Sequence, residues 1–175
     1  MLKRLCFAAP VALVALLVST QTTALAILPG TNLSPAINSP AAVENLSELI
    51  ASNARRQAES MCSVGFCYRG VKRALNRIGI SLTGTAAYMA KEQLLEDGRF
   101  HMVPMNASSL RKGDILVHDK SRAHPYGHIA VYLGNGMEAS DHVQKLVVGG
   151  RYGNTVVFRS GTPKASAILK TASAE

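Results

Sequence analysis

The chain has 175 residues, 47% of them apolar, with 19 basic against 11 acidic side chains and a formal net charge of +8. That length is enough for one domain with a real core. The basic residues are scattered (Arg55, Arg56, Arg69, Lys72, Arg73, Arg77) and not interleaved with aromatics, which argues against nucleic-acid binding.

Lys3 and Arg4 precede an apolar run from Leu5 to Val18, broken by Pro10 and followed by polar residues and Ala24-Leu25-Ala26. This is the pattern of a secretory signal peptide, residues 1–26, cleaved after Ala26 and taking Cys6 with it. The run is shorter than the ~20 residues that cross a bilayer, so membrane attachment is expected only through an uncleaved signal. A mature chain from Ile27 keeps 17 basic against 11 acidic residues, a net charge of about +6. Secreted or periplasmic, such a chain is drawn to envelope polyanions, unless the charge is only a solvated surface.

Residues 27–40, rich in Pro, Asn and Ser, read as an extended tether. Ser39-Pro40 then opens a helix, and Val43, Leu46, Leu49 and Ile50 recur at helical spacing up to about Ser60. Gly65 interrupts the pattern. A second helix begins at Cys67, carries its apolar stripe on Val71, Ala74, Leu75 and Ile78, and stops at Gly79. Residues 85–97 form a third, stopped by Gly98. The period then changes to strand-like over residues 100–103, 114–118, 128–133, 137–141 and 155–159. Helices first and strands later predict an α+β domain over residues 41–163, its antiparallel sheet packed on the helices, with a frayed tail at 164–175.

Cys67 has three readings: a nucleophile, a disulfide partner of Cys62, or a buried structural thiol. A thiol attacks as thiolate, which a helix N-terminus and a nearby imidazole both favour. His128, opening an apolar strand after Gly127, is the candidate base; it shares a strand face with Ala130 and Tyr132. A histidine base needs an orienting group, and hairpin parity sorts the candidates. A two-residue turn in Gly134-Asn135-Gly136 places Asp141 on the face of His128; a three-residue loop reverses the parity and favours Glu138. Asp141 is therefore the expected third member, with Glu138 as its substitute. Tyr68 beside the cysteine, and His124 and Tyr126 just before the histidine, are candidate substrate contacts.

Together these segments resemble the papain-like cell-wall hydrolases of the CHAP and NlpC-type superfamily over roughly residues 67–142. The motifs are Gly65-Phe66-Cys67 before a helix, Leu82-Thr83-Gly84 after it, Leu110-Arg111-Lys112-Gly113-Asp114-Ile115 leading into a strand, Gly127-His128-Ile129-Ala130-Val131-Tyr132 and Ser140-Asp141. The resemblance implies a papain-like fold and a Cys67-His128-Asp141 triad. It also implies a thioester intermediate and cleavage of amide bonds in peptidoglycan, either within stem peptides or at the N-acetylmuramoyl-L-alanine link. Phe66-Cys67-Tyr68-Arg69 departs from the usual Asp-Cys-Ser-Gly, and no tyrosine precedes the cysteine, which leaves the second oxyanion donor unassigned. A monomer without cofactor is expected, with peptidoglycan as its partner and an inhibitor or immunity protein as a further one. Two rival readings follow from the residues. One is a non-catalytic envelope-binding module with a Cys62–Cys67 disulfide. The other is a metal site among His118, His124, His128, Asp141 and His142, whose spacing matches no recognised ligand pattern. Arg111, Lys112 and Arg122 are either contacts for substrate carboxylates or solvated loop charges.

Overall fold

A computed structural model describes residues 40–149 and 151–161. The signal peptide, most of the tether and the C-terminal tail expected from the sequence lie outside the described residues. Among the described residues no helix is long and apolar enough to cross a membrane.

Helix α1 runs over Pro40–Met61 and α2 over Cys67–Asn76, both starting where the sequence places them. Ile50, Ala51, Ala54 and Ala58 form the buried stripe of α1, and Val71, Ala74 and Leu75 that of α2. The third helix is shorter than its pattern. Ala86 stays extended, a 3-10 turn follows at Ala87–Met89, and α3 covers Ala90–Glu96. Gln93 of α3 accepts the Thr83 N–H at 2.6 Å, so its side chain fastens the incoming loop.

Six strands follow: β1 Phe100–Val103, β2 Ile115–His118, β3 His128–Gly134, β4 Met137–Ala139, β5 Val143–Lys145 and β6 Thr155–Ser160. They form one antiparallel sheet in the order β1-β6-β2-β3-β4-β5. The helices bury one face of it, against Ile115, Val117, Ile129, Val131, Ala139 and Phe158. The other face carries a smaller apolar cluster of Leu116, Tyr132 and Val157. This is the α+β architecture expected from helices preceding strands. The strand predicted over 137–141 is cut short, because the chain turns at Ser140, whose N–H bonds to the His142 carbonyl, and returns as β5. Val143-Gln144-Lys145 is too short and polar to show a period.

Gly70 fixes how α2 meets that turn. A Cβ built there lies 2.2 Å from the Ser140 carbonyl oxygen and 2.8 Å from its carbon, so helix backbone packs on strand backbone with no room between. In an exposed helix, Gly→Ala gains stability. Here overpacking reverses the sign, and Gly70→Ala should cost about 2 kcal/mol, roughly 6 °C in melting temperature. A variant that melts at or above wild type would show that α2 is free to shift.

Candidate active site

Cys67 is the first residue of α2, half-buried, and its thiol is free. Cys62 takes part in a disulfide that does not involve Cys67, so the Cys62–Cys67 bond of the binding-module reading is not formed. Phe66, at the cap position, gives α2 no side-chain cap. The acceptor comes instead from 75 residues further on: Asp141 Oδ2 accepts the Phe66 N–H at 2.6 Å, and the Asp141 carbonyl accepts the Ser63 N–H at 3.1 Å. A carboxylate at a helix N-terminus is favoured by the helix dipole as well as by its hydrogen bond. Asp141 is thus the clamp on the loop that delivers Cys67.

His128, 6% exposed, opens β3 immediately after Gly127. That glycine has φ +66°, and a Cβ there would lie 2.4 Å from the His118 carbonyl oxygen; the tight entry aims the histidine. The expected parity is then overturned. Asn135-Gly136 is the two-residue turn, with φ of 53° and 67°. The pairing, however, runs Val131 with Ala139, Tyr132 with Glu138, and then Gly134 with Met137. Leu133 is an extra residue, and this β-bulge moves every β4 side chain to the opposite face from the one the turn alone dictates. Glu138, not Asp141, shares the face of Tyr132, Ala130 and His128.

Glu138 is fully buried, with its Oε1 3.6 Å from His128 Nε2. That is long for a hydrogen bond, so charge attraction carries the contact. Gln144 Nε2 donates to Glu138 Oε1 at 2.7 Å and the Val147 N–H to Oε2 at 3.2 Å. Gln144 Oε1 meets His142 Nε2 at 3.0 Å, while His142 Nδ1 meets Asp141 Oδ1, also at 3.0 Å. The two candidate acids therefore belong to one polar chain, with Asp141 at the cysteine end and Glu138 at the histidine end.

Burial by itself pushes the His128 pKa down, but the neighbouring Cys67 and Glu138 carry it up to about 9. Burial raises the Glu138 carboxyl, yet the neighbouring His128, with hydrogen bonds from Gln144 and the Val147 N–H, brings it below the ordinary value. The charge of Glu138 and the neighbouring Cys67 thus favour the imidazolium form of His128.

An aromatic shell covers the imidazole. The Tyr152 ring stacks on His128 at 4.8 Å between centroids and 6° between planes, and packs on His118 at 5.0 Å and His124 at 4.5 Å. Its loop is held by the Gly153 N–H on the Asp119 carbonyl and the Asp119 N–H on the Asn154 carbonyl. Tyr152 follows glycines in an aperiodic stretch, and nothing in the sequence singles it out. His118 is buried and bonded through Nδ1 to the Thr155 hydroxyl at 2.8 Å. Burial, and then the His128 charge, press its pKa down to about 4.

These two histidines predict a stability maximum. Between pH 4 and 6.5 the unfolded chain protonates His118 and the native one does not, so stability rises with pH. Between 6.5 and 9 the native chain holds the His128 proton that the unfolded one has lost, so stability falls with pH. The melting temperature should therefore peak near pH 6.5. A His118→Gln variant should lose much of the acid limb and keep the alkaline one; a profile that rises steadily to pH 9 would contradict the assignment.

Beside Cys67 lies a cleft of about 480 Å³, bordered by Phe66, Arg69 and Lys72 on one side and by Thr85, Ala87 and Tyr126 on the other. Tyr126, proposed from the sequence as a substrate contact, is 68% exposed at its rim. Tyr68 forms wall: its ring is buried and its hydroxyl donates to the Thr83 carbonyl at 2.5 Å. His124 packs against Tyr152 and does not line the cleft. Lys112 pairs with Glu48 at 2.5 Å, and Arg111 and Arg122 are exposed away from the cleft lining. A second hollow of about 490 Å³, between α1 and the end of α2, is lined by Gln57, Arg73 and Arg77 and holds no nucleophile. Among the described residues no three His, Cys, Asp or Glu side chains converge as metal ligands.

No protein-family profile and no curated protein matches the sequence. Among solved structures, the chain is similar to the type VI native effector-immunity complex Tae3-Tai3 from Ralstonia pickettii. The match to Tae3 has 30% identity over 65% of this chain and 98% of that one, with a TM-score of 0.54. The chain belongs to the Tae3 family. The selenomethionine form of the same complex matches at 30% identity over 64% and 96% of the two chains, with a TM-score of 0.46. NlpC2 from Trichomonas vaginalis is a looser likeness, 17% identical over 64% of this chain and 47% of that one, at a TM-score of 0.38. The Tae3-family fold is papain-like, as the sequence motifs imply. Assignment to CHAP in particular does not follow.

Proposed function

We propose that the chain is a secreted or periplasmic cysteine hydrolase that cleaves amide bonds in peptidoglycan, as a stem-peptide endopeptidase or an N-acetylmuramoyl-L-alanine amidase. The observation that carries the reading is a buried histidine, His128, facing the carboxylate of Glu138 at 3.6 Å, together with a free cysteine, Cys67, at the start of α2 beside the cleft. The relationship to Tae3 supports it, since that protein was solved as an effector with its immunity protein. An immunity protein is accordingly a proposed partner.

In this reading the proton resides on His128 and the Cys67 sulfur attacks the amide carbonyl carbon. The negative oxygen is met by N–H groups at the start of α2, that of Cys67 first. The imidazolium gives its proton to the leaving nitrogen as the C–N bond breaks, leaving a thioester. His128 then activates the water that hydrolyses it. Glu138 takes the third place that hairpin parity alone assigns to Asp141, keeping the imidazolium charged and oriented.

A non-catalytic envelope-binding module with a Cys62–Cys67 disulfide in the mature chain is the alternative, and mass before and after reduction distinguishes it. The domain of residues 41–163, the signal peptide of residues 1–26 and a monomeric state complete the proposal. To test it, purified sacculi are incubated with the mature chain under reducing conditions and the released fragments are identified by mass spectrometry. Release that stops on thiol alkylation supports the reading. Release that survives alkylation, or that stops only with a chelator, would replace it with a different chemistry.

A further inference from the structure

Arg69 and Lys72 are the charged residues that line the cleft beside Cys67, and both are positive. Five cations elsewhere pair with carboxylates: Arg55 with Glu59, Lys91 with Asp119, Arg99 with Asp97, Lys112 with Glu48 and Arg159 with Asp114. Among the described residues, neither Arg69 nor Lys72 has a carboxylate within 4.0 Å.

Both are nevertheless held in place. Lys72 Nζ lies 4.8 Å from the centroid of the Tyr68 ring and donates to the Gly84 carbonyl at 2.7 Å, so the ammonium bridges α2 and the opposite wall. Tyr68 is itself fixed through the Thr83 carbonyl. The Arg69 guanidinium lies 4.5 Å from the centroid of the Phe66 ring, whose backbone is clamped by Asp141. Three residues apart, the two cations are neighbours on one helix face, where like charges repel. They add to the positive end of α2, and an anion between them relieves that repulsion. Ordering cations before a ligand arrives lowers the entropy cost of binding it.

We infer that Arg69 and Lys72 form a carboxylate-binding subsite that selects peptides carrying a free carboxylate next to the amide presented to Cys67. The inference rests on the amide-hydrolase reading for its choice of a peptide ligand. Helical rise places the pair ~3–8 Å along the axis from Cys67, about one or two residues of an extended peptide. The exposed faces of Phe66 and Tyr126 border the same cleft and suit the apolar parts of such a peptide.

The test separates binding from turnover. A peptidoglycan stem peptide, and the same peptide with its carboxylates converted to carboxamides, are titrated calorimetrically into Cys67→Ala protein at low and high salt. The carboxylate form should bind about tenfold more tightly, and the difference should shrink with salt. Lys72→Met and Arg69→Met should each remove most of the preference. Lys72→Arg should keep it, which rules out mere loss of fold. Equal affinity for the two forms, no binding of either, or a preference that survives both methionine variants would overturn the subsite. Parallel digestion by the wild type tells the two readings apart. A carboxylate preference in binding without cleavage of either peptide sinks the hydrolase and leaves the subsite. Equal cleavage of both peptides does the reverse.

Discussion

Cys67→Ala should abolish fragment release from sacculi, a loss of about 10⁴-fold or more in turnover, with the melting temperature close to wild type. The side chain is half-buried at the edge of the core, so removing one sulfur leaves little cavity. The nucleophile has no substitute nearby. The hydroxyl of Tyr68, the neighbouring side chain, is bonded to Thr83. The same variant has a second readout that needs no substrate. Cys67 is one of the two groups that lift His128 to about 9, so the His128 resonance should titrate lower in Cys67→Ala. Retained activity, or an unmoved His128 titration, would show that sulfur and imidazole do not act together.

Glu138→Gln should lower turnover by about 10²–10⁴-fold, the range expected when a catalytic histidine loses its carboxylate. The isostere keeps an oxygen for Gln144 but removes the charge facing His128, and turns a donor toward the Val147 N–H. The His128 pKa should again fall. Asp141→Asn should act in the other order. It removes the charged acceptor of the Phe66 N–H, costing about 1–3 kcal/mol of stability, while the folded fraction keeps most of its turnover. Melting temperature should therefore drop more for Asp141→Asn and turnover more for Glu138→Gln. The opposite ranking would return the third catalytic place to Asp141.

Much of this arrangement is legible in the amino-acid sequence. The apolar periods of residues 40–61 and 67–76, the glycine after α2 and the strand-like run from His128 report on local conformation, which backbone and side-chain geometry dictate over a few residues. They place the cysteine at a helix start and the histidine at a strand start. The redox state of Cys67 is not legible in the same way, because pairing depends on which sulfurs the fold brings together. Tyr152 and Gln144 escape sequence reasoning because a stacking ring and a hydrogen-bonded amide leave no periodic trace.

The exchange of Asp141 for Glu138 marks the boundary between the two kinds of information. By itself, the sequence determined the α+β order, the candidate nucleophile and base, the two-residue turn and both candidate acids. Only the tertiary structure decided which acid meets the histidine, since one unpaired residue at Leu133 reverses the parity of a strand without altering the turn that follows it. Asp141 is then available to the backbone at the start of α2, an acceptor that a helix opening at Phe66 lacks in its own sequence and obtains from 75 residues away.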